Sequence, residues 1–80
     1  MSQVELIMPK MGESVHEATI IKWLKNEGDR VEPGDTLANV ESEKLEFPVE
    51  SPVSGVLKRV LARAGEVVPV AQPIAVIETE

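Results

Sequence analysis

The sequence predicts an all-β fold, a sandwich or barrel built from many short strands. Three observations carry this. Glycine and proline recur every few residues, at Pro9, Gly12, Gly28, Pro33, Gly34, Pro48, Pro52, Gly55, Gly65, Pro69 and Pro73, which leaves no room for long helices. The stretches between them are of strand length and rich in Val, Ile and Leu. The chain also repeats itself at an offset of about 37 residues, the mark of a duplicated supersecondary unit.

Taken in order, the first strand spans Gln3–Met8 and is stopped by Pro9. A second covers Glu17–Leu24, before the turn at Gly28-Asp29. A short strand surrounds Val31, enclosed by that turn and Pro33-Gly34. The next two, Thr36–Val40 and Leu45–Val49, flank a polar stretch and form a hairpin. Gly55–Leu61 follows Pro52, a short strand surrounds Val67-Val68 between Gly65 and Pro69, and Ile74–Glu78 closes the chain. Short strands at such close spacing point to a sandwich or barrel.

The repeat keeps polarity class more than identity. Glu13-Ser14 returns as Glu50-Ser51, Ile20 as Leu57, Trp23 as Val60 and Leu24 as Leu61. Gly28-Asp29 returns as Gly65-Glu66, Val31 as Val68, Leu37 as Ile74, Val40 as Ile77 and Glu41 as Glu78. Two halves of one core related by a pseudo-two-fold axis would need this pattern. The symmetry also predicts that the Glu41–Glu46 hairpin lies opposite the two chain ends.

Eighty residues suffice for one domain, 1–80, with a thin stability margin. With only Trp23 and Phe47 as aromatics, the core must be aliphatic. A net charge of −6 gives no basic footprint for nucleic acid and disfavours anionic membranes. No apolar run reaches the length of a membrane span, and the first residues carry no signal-peptide pattern. Cysteine is absent, which fits an intracellular protein, cytoplasmic or in the mitochondrial matrix. His16 is the single histidine, so no His-based metal cluster is expected and the metal expectation is none. The serines lack the signature of an activated nucleophile. No catalytic constellation emerges, so the chain reads as a non-enzyme. The acidic run Glu41, Glu43, Glu46 and Glu50 has no calcium-loop pattern and reads as a solvated hairpin. Trp23, which returns as Val60, reads as core.

Lys44 is the sharpest candidate. It sits in Val40-Glu41-Ser42-Glu43-Lys44-Leu45-Glu46-Phe47. Val40 on one side and Phe47 and Val49 on the other are expected to anchor the strands, leaving Ser42 through Leu45 to turn. A turn-tip lysine extends a flexible stem where a modifying enzyme can reach it. Taken alone it reads as an ordinary solvated lysine. Its central place in a duplicated β fold makes it a candidate attachment site.

With these residues in view, the chain resembles a lipoyl domain of the biotinyl/lipoyl-carrier family. The resemblance is carried by Met8-Pro9-Lys10-Met11-Gly12-Glu13-Ser14-Val15, Ala18–Lys25, Glu27–Val31, Glu41-Ser42-Glu43-Lys44 and Ser51–Leu57. It covers about Val4 to Ile77. It implies a flattened barrel-sandwich of two four-stranded antiparallel sheets. It also implies a piece of the acyltransferase component of a 2-oxo acid dehydrogenase complex, carrying lipoic acid amide-linked to Lys44. Glu41, Glu43 and Leu45 would then be read by a lipoate ligase or lipoyl transferase. The first surface loop, Lys10, Met11, Gly12, Glu13 and Ser14, would help a thiamine-dependent 2-oxo acid decarboxylase choose its carrier. The acyltransferase core and dihydrolipoyl dehydrogenase would be the further partners of a monomeric domain. The Gly12–Val15 wording is closer to carriers of the oxoglutarate and branched-chain complexes than to pyruvate carriers. Glu43 stands where Asp is usual, and Leu45 where a small or β-branched residue is usual. Biotin carriers flank their lysine with Met, so the flanks favour lipoate. A biotin carrier, and an unmodified structural module of the same fold, are the alternative readings.

Overall fold

A computed structural model describes residues 2–79. Eight strands follow one another: β1 (Gln3–Ile7), β2 (Glu17–Trp23), β3 (Arg30–Val31), β4 (Thr36–Glu41), β5 (Glu46–Glu50), β6 (Gly55–Val60), β7 (Val67–Pro69) and β8 (Pro73–Thr79). Each lies within a residue or so of its expected bounds: Gly28, Pro33-Gly34, Pro52 and Gly65 fall between strands, while Pro48 is carried inside the edge strand β5. The strands form two four-stranded sheets, ordered β1-β8-β6-β3 and β5-β4-β2-β7, with every pairing antiparallel.

The two sheets are copies of one pattern. Mapping β2, β3 and β4 onto β6, β7 and β8, and β5 onto β1, carries one strand order into the other. The registers agree in detail. Thr19↔Glu41 and Ile20↔Val40 match Val56↔Glu78 and Leu57↔Ile77, and the bulge after Ile20 matches the bulge after Leu57. The turns agree too. Gly28 N–H donates to Leu57 O at 2.7 Å, and Gly65 N–H to Ile20 O at 2.7 Å. The predicted pairs thus hold for β2 through β4.

One predicted pair does not hold. Glu50-Ser51 corresponds to Ile7-Met8, not to Glu13-Ser14. The registers Thr36↔Glu50 and Pro73↔Ile7 occupy matching places, and Ser51 and Met8 are both buried. The connection from Ile7 to Glu17 is six residues longer than its counterpart from Glu50 to Ser54. This insertion breaks the sequence offset while leaving the spatial symmetry intact.

The core is aliphatic and nearly symmetric: Ile20 and Leu57, Leu37 and Ile74, Val40 and Ile77, Val31 and Val68, Val49 and Leu6 are all buried. Fully burying each such side chain contributes about 1.5–3 kcal/mol. Trp23 is only partly buried against this core, and its indole N–H donates to Ala62 O at 2.8 Å. That bond satisfies the one polar atom that packing would strand. Gly55 is required by close approach, since a Cβ there would stand 2.2 Å from Glu78 O.

The hairpin and the chain ends are at opposite ends of a body 36 × 20 × 19 Å in extent. β5 leads away from the hairpin toward Gly55, which pairs with Thr79. β1 runs the other way, from Gln3 beside Glu78 toward the loop that returns at Glu17.

Candidate functional site

Lys44 lies at the tip of the β4–β5 hairpin and is exposed. Ser42 N–H donates to Leu45 O at 2.8 Å, closing the ladder and leaving only Glu43 and Lys44 beyond it. The Ser42 hydroxyl completes the turn. Leu45 N–H donates to Ser42 Oγ at 3.3 Å, and Ser42 Oγ reaches Leu45 O at 3.5 Å. Favoured two-residue hairpin turns put positive φ at one or both central residues. Among the described residues, Ala71 is the only non-glycine with positive φ, so Glu43 and Lys44 turn without it. The serine hydroxyl supplies the local backbone bonding that such a turn lacks. Sequence reasoning placed Ser42 in the turn but missed this role. The signal was available, as Ser is a residue whose hydroxyl bonds nearby backbone.

The chain ends repeat this arrangement. Thr79 N–H donates to Ser2 O at 2.7 Å. Ser2 N–H donates to Thr79 Oγ1 at 3.2 Å, and Thr79 Oγ1 donates back to Ser2 O at 3.1 Å. Thr79 and Ser2 stand to one another as Ser42 and Leu45 do, bond for bond. The lysine hairpin is therefore one half of a symmetric pair whose other half is the contact of Thr79 with Ser2.

The structure brings the hairpin together with part of the first loop. Ser14, His16 and Glu17 line an open cleft with Glu41, Ser42 and Glu43. Lys10, Gly12, Glu13 and Ser14 are exposed, as surface recognition requires. Met11 is not: it is 8% exposed and belongs to the core cluster. Its side chain pins the inserted loop to the sandwich. Of the hairpin flanks, Glu43 and Leu45 are exposed and Glu41 is half-buried. Leu45 closes the turn, so β5 begins one residue later than expected. Phe47, expected as an anchor, is 41% exposed. It pairs with Val40 and shares its inward face, but β5 is an edge strand and leaves one side of the ring open.

Nothing holds the amine back. Among the described residues Lys44 takes part in no ion pair. Glu41, Glu43 and Glu46 make its surroundings acidic. A primary amine on a short hydrogen-bonded turn beyond the last rung of the ladder suits amide formation with a carboxylic cofactor.

Comparison with known proteins agrees with this geometry. The profile of the biotin/lipoyl family, described as biotin-requiring enzyme, matches residues 4–77. The chain is 45% identical over 78 residues to the dihydrolipoyllysine-residue acetyltransferase component of the acetoin cleaving system of Pseudomonas putida, covering 96% of this chain and 21% of that protein. It is 41% identical over 73 residues to the dihydrolipoyllysine-residue succinyltransferase component of the 2-oxoglutarate dehydrogenase complex of Staphylococcus saprophyticus, covering 91% and 17%. The chain thus spans about a fifth of these relatives. Among solved structures, the lipoyl domain of the Azotobacter vinelandii 2-oxoglutarate dehydrogenase complex superposes with a TM-score of 0.77 at 20% identity, covering 96% of this chain and 99% of that one. The Kluyveromyces lactis urea carboxylase superposes with a TM-score of 0.81 at 26% identity, covering 98% and 6%.

Proposed function

The chain belongs to the biotin/lipoyl attachment family, and from that membership we propose that it is a lipoyl-carrier domain of a 2-oxo acid dehydrogenase complex, with Lys44 as its attachment residue. The observation that carries this reading is the exposed Lys44, in no ion pair among the described residues, at the tip of a two-residue turn at the end of the sandwich away from Ser2 and Thr79. When bound, lipoate supplies a dithiolane that carries an acyl group and reducing equivalents. The chain's own residues do the rest. Ser42 fixes the turn, β4 and β5 hold it rigid, and Lys44 Nζ offers the nitrogen of the amide. Tethering raises the effective concentration of the carried group at each partner's site.

The partners in this reading are a lipoate ligase or lipoyl transferase, a thiamine-dependent decarboxylase, an acyltransferase core and dihydrolipoyl dehydrogenase. The parent chain is then a dihydrolipoamide acyltransferase, in the cytoplasm or mitochondrial matrix. The acidic hairpin and the net charge of −6 favour basic partner surfaces and association that weakens with salt. The cleft between the Ser14–Glu17 segment and the hairpin supports a role for the inserted loop in choosing the decarboxylase.

A biotin carrier is the second reading, favoured by the likeness to urea carboxylase. Glu43 and Leu45 beside the lysine favour lipoate. The two are separated by exposing wild type and Lys44→Ala to a lipoate ligase and, in parallel, a biotin ligase. Wild type gains lipoate, and the variant folds and gains neither group. Biotin on Lys44 would move the protein to the carboxylases, and lipoylation of the variant would sink the assignment.

A further inference from the structure

The pseudo-two-fold axis makes each end of the sandwich a control for the other, and exposed apolar surface is not shared equally between them. Leu45 in the lysine turn stands where Ser2 stands at the chain ends. Phe47, paired with Val40, stands where Val4 pairs with Ile77. Ile7, at the end of β1 that runs toward the lysine, stands where Glu50 ends β5. At the lysine end all three are large, apolar and exposed: Leu45 53%, Phe47 41% and Ile7 47%. The fold does not need them, since Ser2, Val4 and Glu50 fill the same places at the other end. Ile7 and Phe47, with Pro9 and Pro48, line an open groove between the edge strands β1 and β5.

We propose that this groove is a resting site for the lipoyl arm on Lys44, so that the arm folds back along β5 onto Phe47 and Ile7. The inference rests on the reading of Lys44 as lipoylated. Phe47 is three residues from Lys44, a span of at most about 11 Å, and a lysine stem extended by a lipoyl chain outreaches it. The amide has no charge, so the arm brings only hydrocarbon, sulfur and one peptide-like group to a mainly apolar surface. Sulfur against an aromatic edge is a favourable contact. Because the arm is tethered, its effective concentration is in the millimolar range. A contact too weak to hold free lipoate therefore still populates the folded-back state. Glu5 and Glu50 flank the groove and disfavour an anionic occupant such as free lipoate. The site thus takes the attached group in preference to the unattached one.

The test uses isotope-labelled protein whose complete lipoylation is established by intact mass, compared by NMR with the unmodified protein. The Phe47 ring and Ile7 methyl resonances shift on lipoylation and show through-space contacts to the lipoyl chain. Phe47→Val and Ile7→Glu install residues that the symmetric end already accommodates. Each is therefore expected to fold, to lipoylate fully and to lose most of the shift at the remaining groove residue. Full lipoylation with changes confined to Glu43, Lys44 and Leu45 would overturn the inference and leave the carrier reading standing. Concentration-dependent shifts at Ile7 and Phe47 in unmodified protein would overturn it in favour of self-association. No mass gain from a competent ligase would remove the carrier reading and this inference together.

Discussion

Ser42 does for the hairpin what Thr79 does for the chain ends: each hydroxyl binds both backbone groups of the residue across the turn. Ser42→Ala should lose about 0.5–1.5 kcal/mol of stability, the usual worth of such a bond. It should also slow lipoylation, because the lysine turn loosens. Ser42→Thr should restore both, since threonine already plays this part at position 79. Denaturant unfolding and a timed ligase assay measure the pair. Glu32 is the residue whose titration matters. It accepts from Ser54 Oγ at 2.9 Å and from Arg30 Nε at 3.0 Å. The Ser54 bond first, and then the Arg30 bond, hold its carboxyl below the usual carboxylate range. A lowered folded pKa means the contribution is present above the usual carboxylate pKa and is lost as pH falls through the folded value. The melting-temperature gap between wild type and Glu32→Gln should therefore be open near neutrality and close on acidification. Its size should be small, as the group is exposed.

At the scale of elements, strand positions were legible because most Gly and Pro residues fall between strands or at their first or last residue, with Pro48 tolerated on the edge strand β5. The β4–β5 hairpin could likewise be placed from Val40 and Val49 around a polar run. The fine structure of that hairpin was not legible: a hydroxyl replacing positive φ is a three-dimensional bond. Phe47 was misread as an anchor because edge position, which decides its exposure, depends on sheet order. The burial of Met11 was not legible because an insertion can turn a side chain inward, and only the core shows where. The turn before β8 holds another such detail. Ala71 has φ 74°, while its counterpart Gly34 has φ 90°. The left-handed conformation costs an L-residue about 1–2 kcal/mol, and glycine's extra freedom in the unfolded chain costs about 0.5–1 kcal/mol. The first outweighs the second, so Ala71→Gly should stabilise the protein by up to about 1 kcal/mol in thermal or denaturant unfolding. Equal or lower stability would show that Ala71 is held there without strain.

Across the whole molecule, the sandwich is a duplicated unit with the Ser42–Leu45 turn at one end and the Thr79–Ser2 contact at the other. The repeat was visible in the sequence for β2 to β4 against β6 to β8. It was lost for β5 against β1, because the Ile7–Glu17 connection carries six extra residues. The loop they lengthen meets the lysine hairpin at Ser14–Glu17, so the departure from symmetry falls on the lysine side of the sandwich. The same symmetry makes a prediction about the opposite end. A peptide bond from Glu80 to Met1 would close the end at which Thr79 and Ser2 already make the bonds that Ser42 and Leu45 make at the other. The cyclic protein should fold with unchanged sheets and gain stability from its restricted unfolded state. Closing a chain of this size is worth about 2–4 kcal/mol, or a rise in Tm of at least about 8 °C for a domain of this size. A cyclic protein that melts lower would mean the ends do not reproduce the turn.

The central claim is that Lys44 is the residue that carries the prosthetic group. The most direct measurement is the intact mass of the protein after reaction with lipoate and an active ligase, followed by peptide mapping of any gain. The account predicts one lipoyl increment per chain, on the peptide that contains Lys44. A folded protein with no increment, or an increment on another lysine, would contradict it.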